Sequence, residues 1–528
     1  MATSISNSLS RRALCKTGAT TALAAAVGAA LRPQSGLAQS ATPSASPIAL
    51  GNWEEFDAAL HEAMTTFDMV GAAVSVVTSD AVAYTNTFGV RDAASGAPVT
   101  PDTHFLCAST TKSMTALLTA ILVDDGVLGW DQPVHEIFSD FRAPTDELTQ
   151  ALRVRDMLDM ASGLGEPEAQ QAFHQGDPTV SELVDMVADL PVISKTGAEF
   201  FYNGTVYANG GYLGALALGA AVDDLMSAFA SLMAQRVYRP SGMATARIAD
   251  DPRPFSDTYA TGNALDLVHG SAPQPYASVG AYAPAGGTLA THIDMVNYIQ
   301  MQLNRGVAAD GTRIVSEANL AQCWTSNVDV PIDAVANPDL ERSGYGMGWL
   351  DFTFRGGHRY LSHAGGIDGF TTFLAVLPDD GLGLVVNTNV SPDARGLSFI
   401  EYVAALLLST RLGLNRGITD YVTDQYRQAR QGLEKLAAQV GPVDDVKIRP
   451  YLGNYQKGWR LALDPDGTLR LHQSSRSIVL LAMPDSSYVM AGGPGVGTPV
   501  TFIRDETGMP IMRIADLETV YWTTGDFA

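Results

Sequence analysis

The strand-forming segments of this chain fall into two groups, which are separated by a long section with mainly helical pattern. Residues 71–90, GAAVSVVTSDAVAYTNTFGV, predict two strands joined by a short turn at residues 79–80. Strand patterns return between residues 343 and 390, where residues 378–381, PDDG, predict a hairpin turn. This layout predicts an α+β fold in which an antiparallel sheet carries helices and an all-helical insertion.

The residue pattern changes after residue 413, from apolar strands and helices to a polar helix and short alternating strands, which predicts a second unit. Residues 421–440 have the polar, amphipathic pattern of a connecting helix. The segment 448–528 contains about eight short alternating runs with turns such as Asp466-Gly467, a pattern typical of a small antiparallel β-barrel. We therefore predict a first domain over residues 52–413, a helical linker over 414–447 and a barrel over 448–528.

The N-terminal residues 1–38 have the features of a twin-arginine signal peptide. Arg11 and Arg12 lie in SRRALCK and precede an apolar run of about 12 residues, which is too short to span a bilayer. A Gly-Leu-Ala stretch ending at Ala38 suits signal peptidase, and residues 39–51 have linker composition. We predict an exported protein, periplasmic or extracellular, without a membrane span in its mature form.

Charge and cysteine content narrow the range of partners. The net charge of −23, from 33 basic and 56 acidic residues, argues against binding to nucleic acid or to an anionic membrane. It leaves small molecules and peptides as the expected substrates. Three cysteines do not form a disulfide framework, so Cys107 and Cys323 are expected to be buried thiols, with pairing left open. Nothing in the sequence predicts the oligomeric state.

Ser109 and Lys112 are candidates for a nucleophile and its base. They lie where a polar cluster becomes an apolar helix, in HFLCASTTKSMTALLTAILVDDG at residues 104–126, and residues three apart share a helix face. A lysine can take a serine proton when burial lowers its pKa toward neutrality. The helix start also offers N–H groups to a developing oxyanion. Spacing alone leaves an N-cap serine and a surface lysine as the alternative.

Several longer segments resemble the serine β-lactamase and penicillin-binding-protein superfamily, specifically its class C-like branch of β-lactamase-related serine hydrolases with esterases and D-amino-acid peptidases. The similar segments are FLCASTTKSMTALLTAILVDDGVLGWDQPV, LRVRDMLDMASGLGEP, PAGGTLATHIDMVNYI and YGMGWL. The resemblance covers about residues 52–413 and implies a transpeptidase-like fold with Ser109 as the acylated nucleophile. The barrel resembles the lipocalin-like domain attached to some of these peptidases.

The resemblance also implies a catalytic tyrosine, for which two candidates overlap in KTGAEFFYNGTVYANGGY. Tyr207 satisfies the family's Y-x-N pattern literally with Asn209. Tyr202 matches the upstream spacing and is the preferred candidate, although Gly204 then replaces the asparagine and Asn203 is its substitute. In either register, the phenol is expected near the lysine cation, which favours phenolate.

The third family motif is expected in SHAGGIDGFTT. His363-Ala364-Gly365 resembles the H-x-G version of this motif, and Gly366 is expected to supply the second oxyanion N–H. Glycines on an edge strand let the substrate backbone approach, which makes Gly365 a substrate-binding candidate. The literal KTG at residues 195–197 precedes both tyrosines and is interpreted as a surface loop.

Other hydrolase classes fit poorly, because the chain has no G-x-S-x-G elbow and its His-Glu pairs lack the second histidine of H-E-x-x-H. We therefore predict an exported serine hydrolase that needs no metal or cofactor and cleaves an amide or ester through an acyl-enzyme. Histidine in place of the family's lysine resembles D-amino-acid peptidases, which makes D-peptides or D-amides the favoured substrates. The alternatives are a carboxylesterase and a catalytically inactive cell-wall-binding protein.

Overall fold

A computed structural model describes residues 53–166, 177–332, 337–455, 458–473, 476–493, 495–515 and 518–523. The predicted signal peptide, residues 1–38, and the whole predicted linker, residues 39–51, lie outside the described residues.

The described residues contain thirteen α-helices. These are α1 Glu54–Thr66, α2 Thr111–Asp124, α3 Val134–Ile137, α4 Asp146–Ala151, α5 Val180–Asp185, α6 Gly204–Ala217, α7 Leu225–Leu232, α8 Ala283–Gly286, α9 His292–Leu303, α10 Glu317–Trp324, α11 Ala394–Leu412, α12 Ile418–Ala437 and α13 Asp445–Ile448. Shorter helical segments are the 3₁₀ turns Ala108–Thr110, Arg155–Met157, Met186–Asp189, Val222–Asp224, Gly280–Tyr282 and Arg449–Tyr451, and the π-helical Met233–Tyr238.

The strands of the first unit are β1 Gly71–Val77, β2 Val82–Asp92, β3 Ala97–Pro98, β4 His104–Leu106, β5 Arg247–Ile248, β6 Asn263–Asp266, β7 Gly270–Pro273, β8 Thr288–Thr291, β9 Val328–Asp329, β10 Leu340–Tyr345, β11 Leu350–Phe354, β12 His358–Ile367, β13 Phe370–Leu377 and β14 Leu382–Thr388. Those of the second unit are β15 Gly453–Tyr455, β16 Trp459–Leu463, β17 Leu469–Gln473, β18 Arg476–Ala482, β19 Tyr488–Met490, β20 Pro499–Arg504, β21 Pro510–Ile514 and β22 Glu518–Thr523.

A nine-stranded antiparallel sheet joins the two predicted strand groups, in the order β3-β2-β1-β14-β13-β12-β11-β10-β9. The junction is the pairing of β1 with β14, which runs from Ala72 opposite Thr388 to Val77 opposite Gly383. Every residue of β1 and β14 is buried, as expected for central strands with both faces covered. The predicted α+β sheet is therefore confirmed, and so is the hairpin turn at residues 378–381.

Helices cover both faces of this sheet, because successive side chains along β1 point to opposite faces and each face packs against different helices. Val74 and Val76 face the cluster that includes α1 and α11, whereas Ala73 and Val77 face the cluster that includes α9. On the α9 side the packing is very close, since a Cβ at Gly383 would lie 2.3 Å from a methyl carbon of Ile299. Glycine at this position therefore lets α9 lie directly on β14.

The insertion between the two strand groups is less uniform than the sequence predicts. It contains most of the helices, but it also contains a three-stranded sheet, β4-β8-β5, and a two-stranded sheet, β6-β7. The expectation of an all-helical insertion is wrong in this respect. The strands are two to four residues long, too short to show alternation in the sequence.

The C-terminal strands β15–β22 form a closed antiparallel barrel, in which β15 pairs with β22. The barrel has its own core, in which Tyr455, Leu469 and Met512 are buried. The prediction of a small barrel is confirmed, whereas its likeness to lipocalins and the exact domain boundaries stay predictions.

Two further expectations concern membrane spans and cysteines. In the described part of the chain, no single helix is long and apolar enough to cross a membrane. One pair, Gly204–Ala217 with Val222–Tyr238, passes that test jointly with a bend of 110°. Cys107 and Cys323 are buried free thiols, as the sequence predicts.

Candidate active site

Ser109 lies in the 3₁₀ turn Ala108–Thr110, which leads directly into α2. Ala108 has a φ of +48°, which is unfavourable for a residue with a Cβ, and such strain concentrates at functional sites. The Cys107 carbonyl accepts hydrogen bonds from the hydroxyls of Thr110 and Thr372, both at 2.8 Å. The turn is thus fastened to β13, while Ser109 itself stays partly exposed.

Lys112 lies behind Ser109, one helical turn further along the chain. Its Nζ donates hydrogen bonds to Ser109 Oγ at 3.1 Å and to the Ala285 carbonyl at 2.9 Å. The residue is 2% exposed, and this burial lowers the pKa of Lys112 to about 7, although the Glu166 carboxylate acts in the opposite direction. A large fraction of the amine is therefore unprotonated near neutral pH and able to accept a proton.

The two candidate tyrosines have different partners. The Tyr202 hydroxyl is buried beside the Ser109 side chain, and Lys112 Nζ lies 4.8 Å from the Tyr202 ring centroid. Burial raises the pKa of Tyr202, and the polar Ser109 side chain opposes that effect. The Tyr207 hydroxyl instead donates to the backbone carbonyl of Lys112 at 2.7 Å. The structure thus brings Tyr202 to Ser109 and Lys112, whereas Tyr207 is bound to the backbone of α2.

The two candidate asparagines are occupied within the fold. Asn203 caps α6 by accepting the N–H of Val206 at 2.9 Å, and its amide group donates to the Leu164 and Gly165 carbonyls. Asn209 donates to the carbonyls of Leu183 and Thr205. Both residues therefore connect α6 to its neighbours, and neither amide is directed to Ser109 by these bonds.

Strand β12 places the third candidate motif beside the nucleophile. Its neighbour β11 pairs with it only from His358 to Ser362, so in the described structure the outer edge of residues 363–367 has no ladder partner. A Cβ at Gly365 would lie 2.2 Å from the Cys107 carbonyl oxygen, so only glycine fits where β12 meets the nucleophile turn. Gly366 follows on the same strand, opposite Thr371 of β13.

His363 is a neutral, fully engaged side chain. Its Nδ1–H donates to the Ala364 carbonyl at 2.6 Å, which leaves Nε2 to accept the Tyr345 hydroxyl at 3.2 Å. Burial and the nearby Lys112 charge lower the pKa of His363 to about 3. With 1% of its surface exposed and its ring 6.3 Å from that of Tyr202, it is placed to orient the tyrosines.

Glu166 is a residue of this site that sequence reasoning missed. Its carboxylate is 5% exposed and accepts the Gly204 N–H at 2.9 Å, the Thr205 N–H at 3.2 Å and the Thr205 hydroxyl at 2.5 Å. Burial raises the pKa of Glu166, and these hydrogen bonds oppose the rise. Its charge in turn raises the pKa of Lys112 and of Tyr202. The only sequence signal is a carboxylate at the end of an otherwise matching landmark.

Tyr345 is the second residue that was missed. Its hydroxyl contacts His363, and its ring centroid lies 5.5 Å from that of Phe200, so it packs among the residues near the site. It is the first residue of YGMGWL, a segment that the sequence comparison located without assigning a role to any side chain.

The comparison with known families agrees with this geometry. The family described as Beta-lactamase matches residues 56–409, which is more than half of the 528 residues. The chain therefore belongs to the beta-lactamase family and is a serine hydrolase of that fold.

Similar proteins show the range of activities in this family. The chain is 25% identical over 379 residues to "Unguisins hydrolase ungD'" of Aspergillus campestris, covering 68% of this chain and 67% of the relative. It is 23% identical over 361 residues to a D-aminopeptidase of Brucella ovis, covering 66% and 62%. An octameric penicillin-binding protein homologue from Pyrococcus abyssi has the same fold, with a TM-score of 0.57, 22% identity and coverage of 88% and 99%.

Proposed function

We propose that this protein cleaves an amide or ester through an acyl-enzyme formed on Ser109. The observation that carries the proposal is the contact of the partly exposed Ser109 hydroxyl with both the buried amine of Lys112 and the phenol of Tyr202. A serine needs an adjacent base to become a nucleophile, and this amine has a pKa of about 7.

The proposed reaction proceeds in two halves. Ser109 Oγ attacks the substrate carbonyl while its proton passes to the free amine of Lys112, and the N–H groups of Ser109 and Gly366 receive the oxyanion. Tyr202 relays the proton to the leaving amine or alcohol, which departs as the carbonyl re-forms. Water then attacks the acyl-enzyme, and its proton returns along the same groups to Ser109 Oγ. His363 orients the tyrosines through Tyr345 and its own ring.

We infer that the preferred substrates are peptides or amides of D-amino acids with a free amino group. His363 stands where the resembling family carries a lysine, and a neutral imidazole offers no cation to a substrate carboxylate. The Glu166 carboxylate adds negative charge near Lys112, which favours a substrate ammonium over a carboxylate. The D-aminopeptidase among the relatives supports the same substrate class. A carboxylesterase of this family remains the alternative.

The test is a panel of chromogenic substrates together with active-site labelling. We expect turnover of D-alanine p-nitroanilide to exceed that of the L-enantiomer and that of N-acetyl-D-alanine p-nitroanilide, which lacks the ammonium. Turnover of p-nitrophenyl butyrate without turnover of any anilide assigns an esterase, and preferential opening of nitrocefin contradicts the substrate class. A fluorophosphonate that labels wild type but not Ser109→Ala supports the acyl-enzyme, and labelling of both proteins contradicts it.

Export through the twin-arginine route belongs to this proposal. It is supported by SRRALCK and by the apolar run that follows it. A fusion of residues 1–38 to a reporter that folds before export tests it. Substitution of Arg11 and Arg12 by lysine is expected to retain the reporter in the cytoplasm.

A further inference from the structure

The turn that closes the β12–β13 hairpin contains a buried carboxylate. Ile367 pairs with Phe370, so the turn consists of Asp368 and Gly369 alone, two residues beyond Gly366. Asp368 is 6% exposed. A carboxylate with so little contact with water requires a charged or hydrogen-bonding partner, so the source of that partner bears on how the hairpin is held.

The partner comes from the C-terminal barrel. Arg476, the first residue of β18, donates from Nε to one carboxylate oxygen of Asp368 at 2.7 Å and from Nη2 to the other at 3.1 Å. Counted by side chain alone rather than by whole residue, Arg476 is 15% exposed and Asp368 is 9% exposed. A two-point contact between planar groups fixes orientation as well as distance, and its burial limits screening by salt.

The barrel also contacts β6, and the residue before β6 packs against the same turn. The Leu267 N–H donates to the Ala491 carbonyl at 2.7 Å, and the Gly493 N–H donates to the Leu265 carbonyl at 3.2 Å, so Gly492 forms an isolated antiparallel bridge with Asp266 at the end of β6. The residue before β6 packs against the turn, because a Cβ at Gly262 would lie 2.7 Å from the Cα of Gly369. The turn therefore lies between Arg476 and a segment that the barrel also holds.

We propose that the C-terminal barrel positions the oxyanion strand of the hydrolase domain, with Arg476 as the positioning residue. By holding Asp368 from two points, Arg476 fixes the tip of β12, which β11 does not support beyond Ser362. The N–H of Gly366 is thereby kept in place for the oxyanion. Such donors act only when their position is set in advance. This inference rests on the proposed acyl-enzyme function.

The experiment measures the rate at which a fluorophosphonate labels Ser109 in the full-length protein, because its phosphoryl oxygen tests the oxyanion donors. Arg476→Ala is expected to slow labelling by about 10- to 100-fold, as expected when a reacting geometry is displaced by about an ångström. For the best chromogenic substrate, the loss is expected in kcat, with KM changed less than threefold (an order-of-magnitude bound).

Arg470 provides a matched control within the same barrel. On the neighbouring strand β17, it forms an ion pair with Asp464 that has the same Nε–O distance of 2.7 Å, but that pair lies within the barrel. Arg470→Ala is expected to leave the labelling rate unchanged. Arg476→Lys and Asp368→Asn each keep one polar contact and are expected to give intermediate rates, which also covers the case in which Arg476→Ala fails to fold.

The outcomes separate this inference from the proposed function. If the fluorophosphonate does not label wild type, the acyl-enzyme proposal fails, and the positioning role fails with it. If wild type is labelled while folded Arg476→Ala, Arg476→Lys and Asp368→Asn all react at the wild-type rate, only the positioning role is overturned. Equal losses in the Arg470→Ala and Arg476→Ala variants would also overturn it, because they would indicate a general effect of barrel stability.

Discussion

Among the described residues, two serines contact a buried nitrogen base, and only one of them lies in the candidate active site. Ser75 Oγ lies 2.7 Å from Nε2 of His292, whose Nδ1 is 2.7 Å from Oδ1 of Asn387. By residue type, this chain of contacts resembles a hydrolase triad more closely than the pair of Ser109 and Lys112 does. The comparison therefore shows what residue types alone leave out.

The two serines differ in their surroundings. Ser75 is 0% exposed in the middle of β1, with β2 on one side and β14 on the other, so no substrate carbonyl can approach it. Ser109 is partly exposed, follows the strained Ala108 and lies beside the unpaired edge of β12. Access and nearby oxyanion donors distinguish a nucleophile from a structural hydroxyl, whereas contact with a base does not.

The largest expected effect comes from removing each serine hydroxyl. Ser109→Ala is expected to lower kcat by about 10⁴-fold or more, because no other hydroxyl occupies that position. Ser75→Ala is expected to keep kcat but to lower the free energy of unfolding by about 1–3 kcal/mol, because His292 loses a buried partner. Steady-state kinetics and urea unfolding of both variants provide the measurement. Loss of activity in folded Ser75→Ala would mean that Ser75 also contributes to the reaction.

The two bases are distinguished by the pH dependence of the reaction. Lys112 is active as the free amine, so kcat/KM of wild type is expected to rise through about pH 7 and to level off above it. Arginine does not release its proton in this range, so Lys112→Arg is expected to lower kcat/KM by roughly 10³-fold and to remove the rising limb. His292→Gln, in the buried cluster, is expected to keep the wild-type profile. If kcat/KM of Lys112→Arg still rises near pH 7, the rise belongs to a group other than Lys112.

The hydroxyls of Tyr202 and Tyr207 are also expected to differ in their effect on activity. Tyr202→Phe removes the phenol beside Ser109 and is expected to lower kcat by about 10²-fold. Tyr207→Phe removes a donor to the Lys112 carbonyl and is expected to reduce the free energy of unfolding by about 1 kcal/mol with activity within a few-fold of wild type. Both are measured by kcat and by thermal unfolding. The reverse pattern would assign the relay to the literal Y-x-N tyrosine.

Much of the fold was predictable because its signals are local. The strand-forming segments of β1 and β2, the PDDG turn and the spacing of α1 each depend on neighbouring residues. Strands β5–β8 were missed because their pairing is set by tertiary packing rather than by any pattern in two to four residues.

The same limit applies to the site. Ser109 and Lys112 are three residues apart, so their contact follows from helix geometry. The choice between Tyr202 and Tyr207 depends on how α6 packs against α2, which no spacing specifies. Glu166 meets Thr205 across 39 positions, and Arg476 meets Asp368 across 108, so neither contact had a sequence signal.

The smallest expected effect concerns a charge that only one of the two bases has as a neighbour. The Glu166 carboxylate raises the pKa of Lys112, whereas the causes that set the low pKa of His292 are its burial and the opposing bond to Asn387. Glu166→Gln removes the negative charge and keeps one carbonyl oxygen, which can accept from Thr205, but it replaces the oxygen that accepts the Gly204 N–H by an amide NH2 group. The pKa of Lys112 should fall, and the rising limb of kcat/KM should move to lower pH.

The expected shift is less than about one pH unit, which corresponds to a several-fold gain at pH 6 relative to the plateau. The matched control is Glu182→Gln, which removes an exposed carboxylate that caps α5 and should leave the limb in place. The sign of the shift is decisive. A limb that moves to higher pH would mean that Glu166 acts on Lys112 through the position of α6, because loss of a negative charge by itself only makes a neighbouring ammonium easier to deprotonate.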